Sequence, residues 1–287
     1  EKFQSGIAVA LPVASYIAWQ LSKAGEGLTR ESLGRGAFDI VDVSEKMRLL
    51  EERFENLKGT FSKYVSPAVV EQIVKKPTSV ELGGELRDVT ILFSDIRGYS
   101  TLSESLGPAE LIGILNRYFQ QVAPCVLDRG GMINEFEGDG ILAVFGAPIG
   151  VENHASAALE TAVDMQRRVE ELNRLWEADG TAEKWKSVGL DSLVVRVGIH
   201  TGDVVAGNIG TDLRMKYAVI GDTVNTAARV EGLNKTLETQ ILLTATTVKR
   251  IEAENGDVSG LQDMGAHQVK GKGDKVHVFT YANDPED

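Results

Sequence analysis

The chain has 287 residues, 43% apolar and 25% charged, which suits one large domain with a smaller attachment. Its formal charge of −12, with no basic stripe, excludes a nucleic-acid surface, because phosphate backbones are held by clustered Lys and Arg. The single cysteine, Cys125, lies in a helical apolar pattern; it excludes a disulfide framework or a cysteine metal knuckle and reads as a buried thiol in a reducing compartment.

Residues 6–21, GIAVALPVASYIAWQL, carry no charge. A spanning helix needs roughly 20 apolar residues, so this stretch is either the end of a transmembrane helix or a buried helix of a sensor domain. Tyr16 and Trp19, followed by Lys23 and Arg30, favour the membrane. That reading tethers the chain through residues 1–22 to the inner face of the plasma membrane, with the rest cytoplasmic. A cleaved signal peptide fits less well, since no small-residue cleavage pattern follows.

From Met47 the apolar residues Met47, Leu50, Phe54, Leu57, Phe61 and Tyr64 fall in alternating steps of three and four, with Glu, Arg and Lys between them. This heptad seam predicts a helix paired with another helix, most simply its own copy in a parallel dimer; a single amphipathic helix packed on its own domain is the alternative. LSKAGEGLTRESLGRGAFDI (21–40) followed by SEKMRLLEERFENL resembles a HAMP linker, a two-helix relay. The usual Pro and Asp-Glu-x-Gly of that linker are missing, with Ala24 or Gly25 and Ser44 to Met47 in their places. Residues 23–66 are therefore read as a HAMP-like or coiled-coil signalling helix.

Residues 67–87 form a lead-in helix and a linker, the latter marked by Pro77 and Gly83-Gly84 within 75–87. Beyond it the pattern predicts a strand at 88–93, a helix at 107–128, a strand pair at 132–137 and 140–145, and a long helix at 152–176. Strands at 193–199 and 203–209, a helix at 222–233, a strand at 240–243 and a closing pair at 262–269 and 275–281 complete it. Locally paired strands mixed with helices give an α+β fold with helices packed on one sheet. The stretch 177–192, EADGTAEKWKSVGLDS, breaks the pattern and reads as an exposed insertion.

In LFSDIRGYSTLSE (92–104) an apolar strand ends in Ser94-Asp95, with a glycine three residues later. Strand ends followed by loops are where ligands are met. In INEFEGDGILAVF (133–145), Asp139 sits in a Gly-Asp-Gly turn that lets another group approach. If the first strand lies beside this hairpin, Asp95 and Asp139 converge, and two carboxylates with nothing basic beside them in sequence suit Mg²⁺ or Mn²⁺. The bland alternative is that Asp139 suits its turn and Asp95 caps the next helix. In GDTVNTAARVEGLN (221–234), Asn225 and Arg229 are i and i+4 on one helix face, with Val224, Ala227 and Ala228 inward. An amide and a guanidinium together can hold a ribose and a phosphate. Lys270 and Lys272, among glycines in VKGKG, offer a cationic loop for outer phosphates or a merely solvated one. His200 in GIHTGD reads as a structural residue at a strand end.

TILFSDIRGYSTLSE, GGMINEFEGDGILAVFGAP, VRVGIHTGDVVAGNIG, YAVIGDTVNTAARVEGLN and VKGKG, in this order, resemble the catalytic domain of class III nucleotidyl cyclases, the adenylate and guanylate cyclases. FSKYVSPAVVEQIV resembles the lead-in helix of bacterial members. The resemblance covers residues 88–283 and implies a ferredoxin-like sandwich with a mainly antiparallel sheet. It further implies a homodimer with nucleotide sites between subunits and two Mg²⁺ or Mn²⁺ per site. By position, Asp95 and Asp139 match the metal-binding aspartates, with the Ile96 carbonyl as a further ligand. Asn225 and Arg229, from the other subunit, match the residues that orient the ribose and stabilise the transition state, and Lys270 the one that holds the outer phosphates. The implied reaction on ATP or GTP is attack of the ribose 3′-oxygen on the α-phosphorus with release of pyrophosphate.

Glu135 occupies the base-recognition position where adenylate cyclases usually carry Lys and guanylate cyclases Glu, while Glu137 reads as a neighbouring strand residue. A carboxylate accepts from guanine N1–H and its 2-amino group, whereas adenine N1 needs a donor. Ala218, the second base position, leaves room for guanine O6 and donates nothing. The expectation is GTP slightly preferred, with an adenylate cyclase as the alternative, or loose purine reading if Glu135 pairs with a cation such as Lys216. The rival of another class is a catalytically silent nucleotide-binding regulatory domain, whose usual mark, loss of a metal Asp or the Arg, is not seen. A metal-dependent phosphodiesterase or nuclease fits worse, since His154, His200, His267 and His277 form no close ligand pair.

Overall fold

The computed structural model describes residues 30–75, 81–269 and 273–281. The chain divides into two compact units, one up to Phe61 and one from Ser62. Among its described residues the first contains one helix, α1 (Arg30–Phe61), on which Met47, Leu50, Phe54, Leu57 and Phe61 are all exposed. Tyr64, counted in the heptad, lies beyond its end. No break divides α1, so the residues described show no second helix of a two-helix relay. Among the described residues no helix is long and apolar enough to cross a membrane, and 6–21 lie outside them.

The second unit opens with α2 (Pro67–Lys75), whose first residue is a proline that needs no intrahelical N–H partner there. The remaining elements are β1 (Gly83–Ile96), α3 (Tyr99–Ser105), α4 (Pro108–Leu127), β2 (Met132–Glu137), β3 (Gly140–Phe145), α5 (His154–Ala178) and α6 (Glu183–Lys186). Then follow β4 (Val195–Thr211), β5 (Arg214–Ile220), α7 (Asp222–Leu237), β6 (Ile241–Thr244), α8 (Ala245–Ala253), β7 (Leu261–His267) and β8 (Val276–Tyr281). The sheet runs β2-β3-β1-β4-β6-β8-β7, with β5 on the far part of β4. Every pairing is antiparallel except β4 with β6. This is the α+β sandwich that the sequence predicts.

Both faces of the sheet are covered, which is why β3 is apolar and buried throughout. On one face Leu92, Ile141, Phe145 and Ile199 meet Tyr118 and Val122 of α4 and Ala162 and Met165 of α5. On the other, Ile91, Val144 and Val204 meet Ala227 of α7 and Val69 of α2. α7 lies so close to β4 that a Cβ on Gly198 would stand 2.1 Å from the Glu231 nitrogen, so only glycine permits this contact.

Three expectations are corrected. The strands expected at 193–199 and 203–209 are one strand, β4, because β1 pairs with it continuously from Gly83↔Asn208 to Ile96↔Val195. The same pairing draws residues 83–87 out of the expected linker into β1. The stretch 177–192 is exposed along much of its length but is not loose: Ala182 and Trp185 are 1% and 2% exposed, and Trp185 meets Trp176 edge-on with ring centroids 4.9 Å apart. Two indoles bury too much apolar area to be left in water. Cys125 is buried in α4, and burial pushes its thiol pKa up.

Candidate functional site

The end of β1 and the β2–β3 turn form the site's centre. β3 pairs with β1 from Thr90↔Phe145 to Ser94↔Ile141, which delivers the turn preceding β3 to the end of β1. There the Ile96 backbone N–H donates to Asp139 Oδ2 at 2.9 Å. Asp139 is 8% exposed. Burial pushes its carboxyl up to about 7; the hydrogen bond and charge of Asp95 add to the rise, and the Ile96 N–H opposes it. Asp95 and Asp139 therefore stand together. Among the described residues there is no group of three or more His, Cys, Asp and Glu side chains that could hold a metal ion.

Asp95 is not without a cation. Arg196, its register partner on β4, donates from Nη2 to Asp95 Oδ2 at 2.7 Å. Arg196 Nε also lies 3.1 Å from Glu231 Oε1 of α7, an ion pair whose angle makes no hydrogen bond. Burial pushes Glu231 up to about 7, against the pull of Arg196 and with a further push from the Asp95 charge. α7 is also the helix of Asn225 and Arg229.

Asn225 is exposed, and Arg229 is half-buried with Nη1 3.9 Å from Asp222 Oδ1. The inward face of α7 is Thr223, Thr226, Ala227, Val230 and Asn234, whereas Val224 and Ala228 are only half-buried. Glu135 on β2 meets Lys216 on β5, with Nζ donating to Oε2 at 2.5 Å. Ala218 lies two residues further along β5, on the same face as Lys216. Among the described residues neither Asn225, Arg229 nor Glu135 makes a hydrogen bond or ion pair with Asp95 or Asp139. Lys270 and Lys272 lie outside the described residues. His200 lies within β4 and not at its end, with Nδ1 2.8 Å from Thr244 Oγ1.

Residues 84–282 match the family model of the adenylate and guanylate cyclase catalytic domain. The chain belongs to this family. An adenylate cyclase of Anabaena cylindrica is 32% identical over 251 residues, 87% of this chain and 48% of that protein. The structure of a bacterial light-regulated adenylyl cyclase superposes with a TM-score of 0.67 at 27% identity, covering 83% of this chain and 64% of that one. The guanylyl cyclase Cya2 gives a TM-score of 0.57 at 37% identity, covering 72% and 98%. The chain spans about half the length, or less, of the curated relatives it matches.

In this cyclase-family chain the sequence reading missed Arg196 and Glu231. A signal was available: once β1 and β4 are read as one long antiparallel pair, Asp95 falls opposite Arg196. Glu231 could not be found that way, because the close packing of α7 at Gly198 of β4 brings it in, and sequence periodicity says nothing of the distance between a helix and the sheet.

Proposed function

We propose that this chain carries a class III nucleotidyl cyclase, which converts a purine nucleoside triphosphate to its 3′,5′-cyclic monophosphate and pyrophosphate in signal transduction, as a homodimer. The observation that carries it is the juxtaposition of Asp95 and Asp139 under the Ile96 N–H at the end of β1. Two crowded carboxylates, one of them buried and raised chiefly by that burial with a further push from the other, are oxygen donors that suit a hard divalent cation. Asp95, Asp139 and the Ile96 carbonyl would hold two Mg²⁺ or Mn²⁺, which supply positive charge for phosphoryl transfer. Arg196, on the same carboxylate, offers a fork of donors to phosphate oxygens.

The ribose 3′-hydroxyl gives up its proton to solvent as its oxygen forms a bond to the α-phosphorus, the bond to the bridging oxygen breaks, and pyrophosphate leaves. Asn225 orients the ribose, and Arg229 faces the charge on the transferring group. Among the described residues neither makes a hydrogen bond or ion pair with Asp95 or Asp139 in one chain, and in our reading a complete site takes these residues from a second copy. Pairing is supported by an exposed apolar row, Leu86, Val205 and Ile220, which are register partners across β1, β4 and β5 and are 71%, 45% and 56% exposed. The exposed seam of α1 supports it independently. Lys270 holds the outer phosphates, and the membrane tether through residues 6–21 belongs to the same proposal.

For the base, we read Glu135 as accepting from guanine. Lys216 occupies Oε2 and holds the side chain, leaving Oε1 for N1–H or the 2-amino group. The same ion pair supports a second reading, in which the Lys216 ammonium donates to adenine N1 and ATP is the substrate. Turnover of ATP and GTP side by side, with Mn²⁺ and then Mg²⁺, and with the product identified by chromatography, separates them. GTP-selective turnover weakened by Glu135→Lys supports the first reading. ATP-selective turnover lost in Lys216→Gln supports the second, and no turnover with either substrate overturns the proposal.

A further inference from the structure

The segment between α5 and β4 has no part in the chemistry above, yet it packs directly behind the residues that follow β1. Its near end is fastened to the helices: Arg117 Nη2 donates to Asp179 Oδ2 at 2.8 Å, and Lys184 pairs with Glu110. Trp185 is buried against Trp176. At its far end Asn173 clamps Leu193, donating from Nδ2 to the carbonyl at 2.8 Å and accepting from the N–H at 3.0 Å. A segment fastened at both ends and anchored by a buried indole in this way is a rigid support and not a loose loop.

What it supports is the turn after Asp95. The Arg97 N–H donates to the Val194 carbonyl at 2.8 Å. Gly98 has φ +80°, and a Cβ built on it would lie 2.9 Å from Leu190 Cδ2, so the Leu190 side chain closes over this glycine. Ile96, Arg97 and Leu102 on one side and Trp185, Leu190 and Leu193 on the other line a partly open crevice with only about 10 Å³ of space for water. That is too small to hold more than a single water, so the contact leaves the turn little room to move. The Ile96 N–H is held from the front by Asp139 and the Arg97 N–H from behind by Val194.

We propose that residues 179–194 are a brace that sets the position of the turn Asp95–Gly98, with Leu190 as its positioning residue and Trp185 as its anchor. The proposal rests on the reading of Asp95 and Asp139 as a divalent-cation site. Because the brace touches the backbone of that turn and no substrate position, its loss loosens cation binding and leaves nucleotide recognition alone. Groups that orient metal ligands from behind typically carry 10–100-fold in affinity. Leu190→Ala is therefore expected to weaken Mn²⁺ binding about tenfold. Leu190→Met restores it.

The test is Mn²⁺ titration of the whole chain by electron paramagnetic resonance, with hydrogen exchange of the Arg97 and Gly98 amides as a readout that needs no metal. Ile251→Ala, which opens the same core away from the turn, is the control for general destabilisation. The expected result is weaker Mn²⁺ binding and faster exchange at both amides in Leu190→Ala, with neither change in Ile251→Ala. Unchanged Mn²⁺ affinity in Leu190→Ala, or an equal loss in Ile251→Ala, overturns the brace. If Asp139→Asn abolishes Mn²⁺ binding while Leu190→Ala does not weaken it, the brace alone fails. If Asp139→Asn binds Mn²⁺ as the wild type does, the cation site itself falls, and the brace with it.

Discussion

Replacing Asp139 by Asn should make the metal-free protein more stable while abolishing its activity. In the folded chain the Asp139 carboxyl titrates at about 7 against an ordinary 3.8, because it is buried beside Asp95. A raised folded value means that the native state binds more protons than the unfolded chain between those limits, so stability falls as pH rises through that window. At about 1.36 kcal/mol per pH unit, the interval amounts to about 4 kcal/mol above pH 7. Asn keeps an oxygen to accept from the Ile96 N–H and removes the charge, so it recovers about 2–4 kcal/mol at pH 8 and nearly nothing at pH 4. For a unit of this size that is roughly 5–10 °C in Tm at pH 8. Calorimetry in a chelator at pH 8 and pH 4 reads it, and Mn²⁺ should raise the Tm of the wild type only. A variant no more stable at pH 8, or one with the same gain at both pH values, would refute the placement of Asp139 as a buried carboxylate beside Asp95.

Arg229→Ala should lower kcat by about 10³ with little change in Tm, since the side chain is half-buried and its ion partner is distant; steady-state kinetics with a melting curve checks both. Glu135→Lys should move the GTP-to-ATP ratio of kcat/KM by about tenfold or more, because a donor facing the donors of guanine leaves both unpaired once the base covers them. His154 is held neutral by burial, with Nε2 accepting from Arg250 at 3.2 Å and Nδ1 2.8 Å from Thr90 Oγ1. Its lowered folded pKa contributes stability that is present above its ordinary value and lost as pH falls through the folded one. Urea unfolding between pH 7 and pH 5 should therefore show a shallower loss in His154→Gln than in the wild type.

The paired hairpin β2–β3 and the amphipathic helices α4 and α5 were legible because local periodicity specifies them. Asp95 and Asp139 were legible for a different reason: one ends an apolar strand and the other sits in a glycine turn, and pairing those strands is the simplest topology. What was not legible depends on contacts between distant segments. The union of the two predicted strands into β4 follows from β1 lying alongside, not from anything in GIHTGD itself. β5 was missed because RMKYAVI carries polar residues on its exposed face and an exposed Ile220. The segment 179–194 looked polar and broken, and only the meeting of Trp176 with Trp185 reveals it as packed. Lys216 could be named as a partner for Glu135 but not chosen, since β2 and β5 are distant in the chain and are not neighbours in the sheet order.

The central claim is that one chain supplies Asp95 and Asp139 and a second copy supplies Asn225 and Arg229 to each site. The most direct measurement is cyclase turnover of Asp139→Asn and Arg229→Ala, each alone and then mixed after co-refolding at equal amounts. Each alone should be inactive. In the mixture, statistical pairing makes half of the dimers mixed, each with one intact site of two, so about a quarter of wild-type activity should return. No recovery, in a mixture shown to contain mixed dimers, would contradict a site shared between copies.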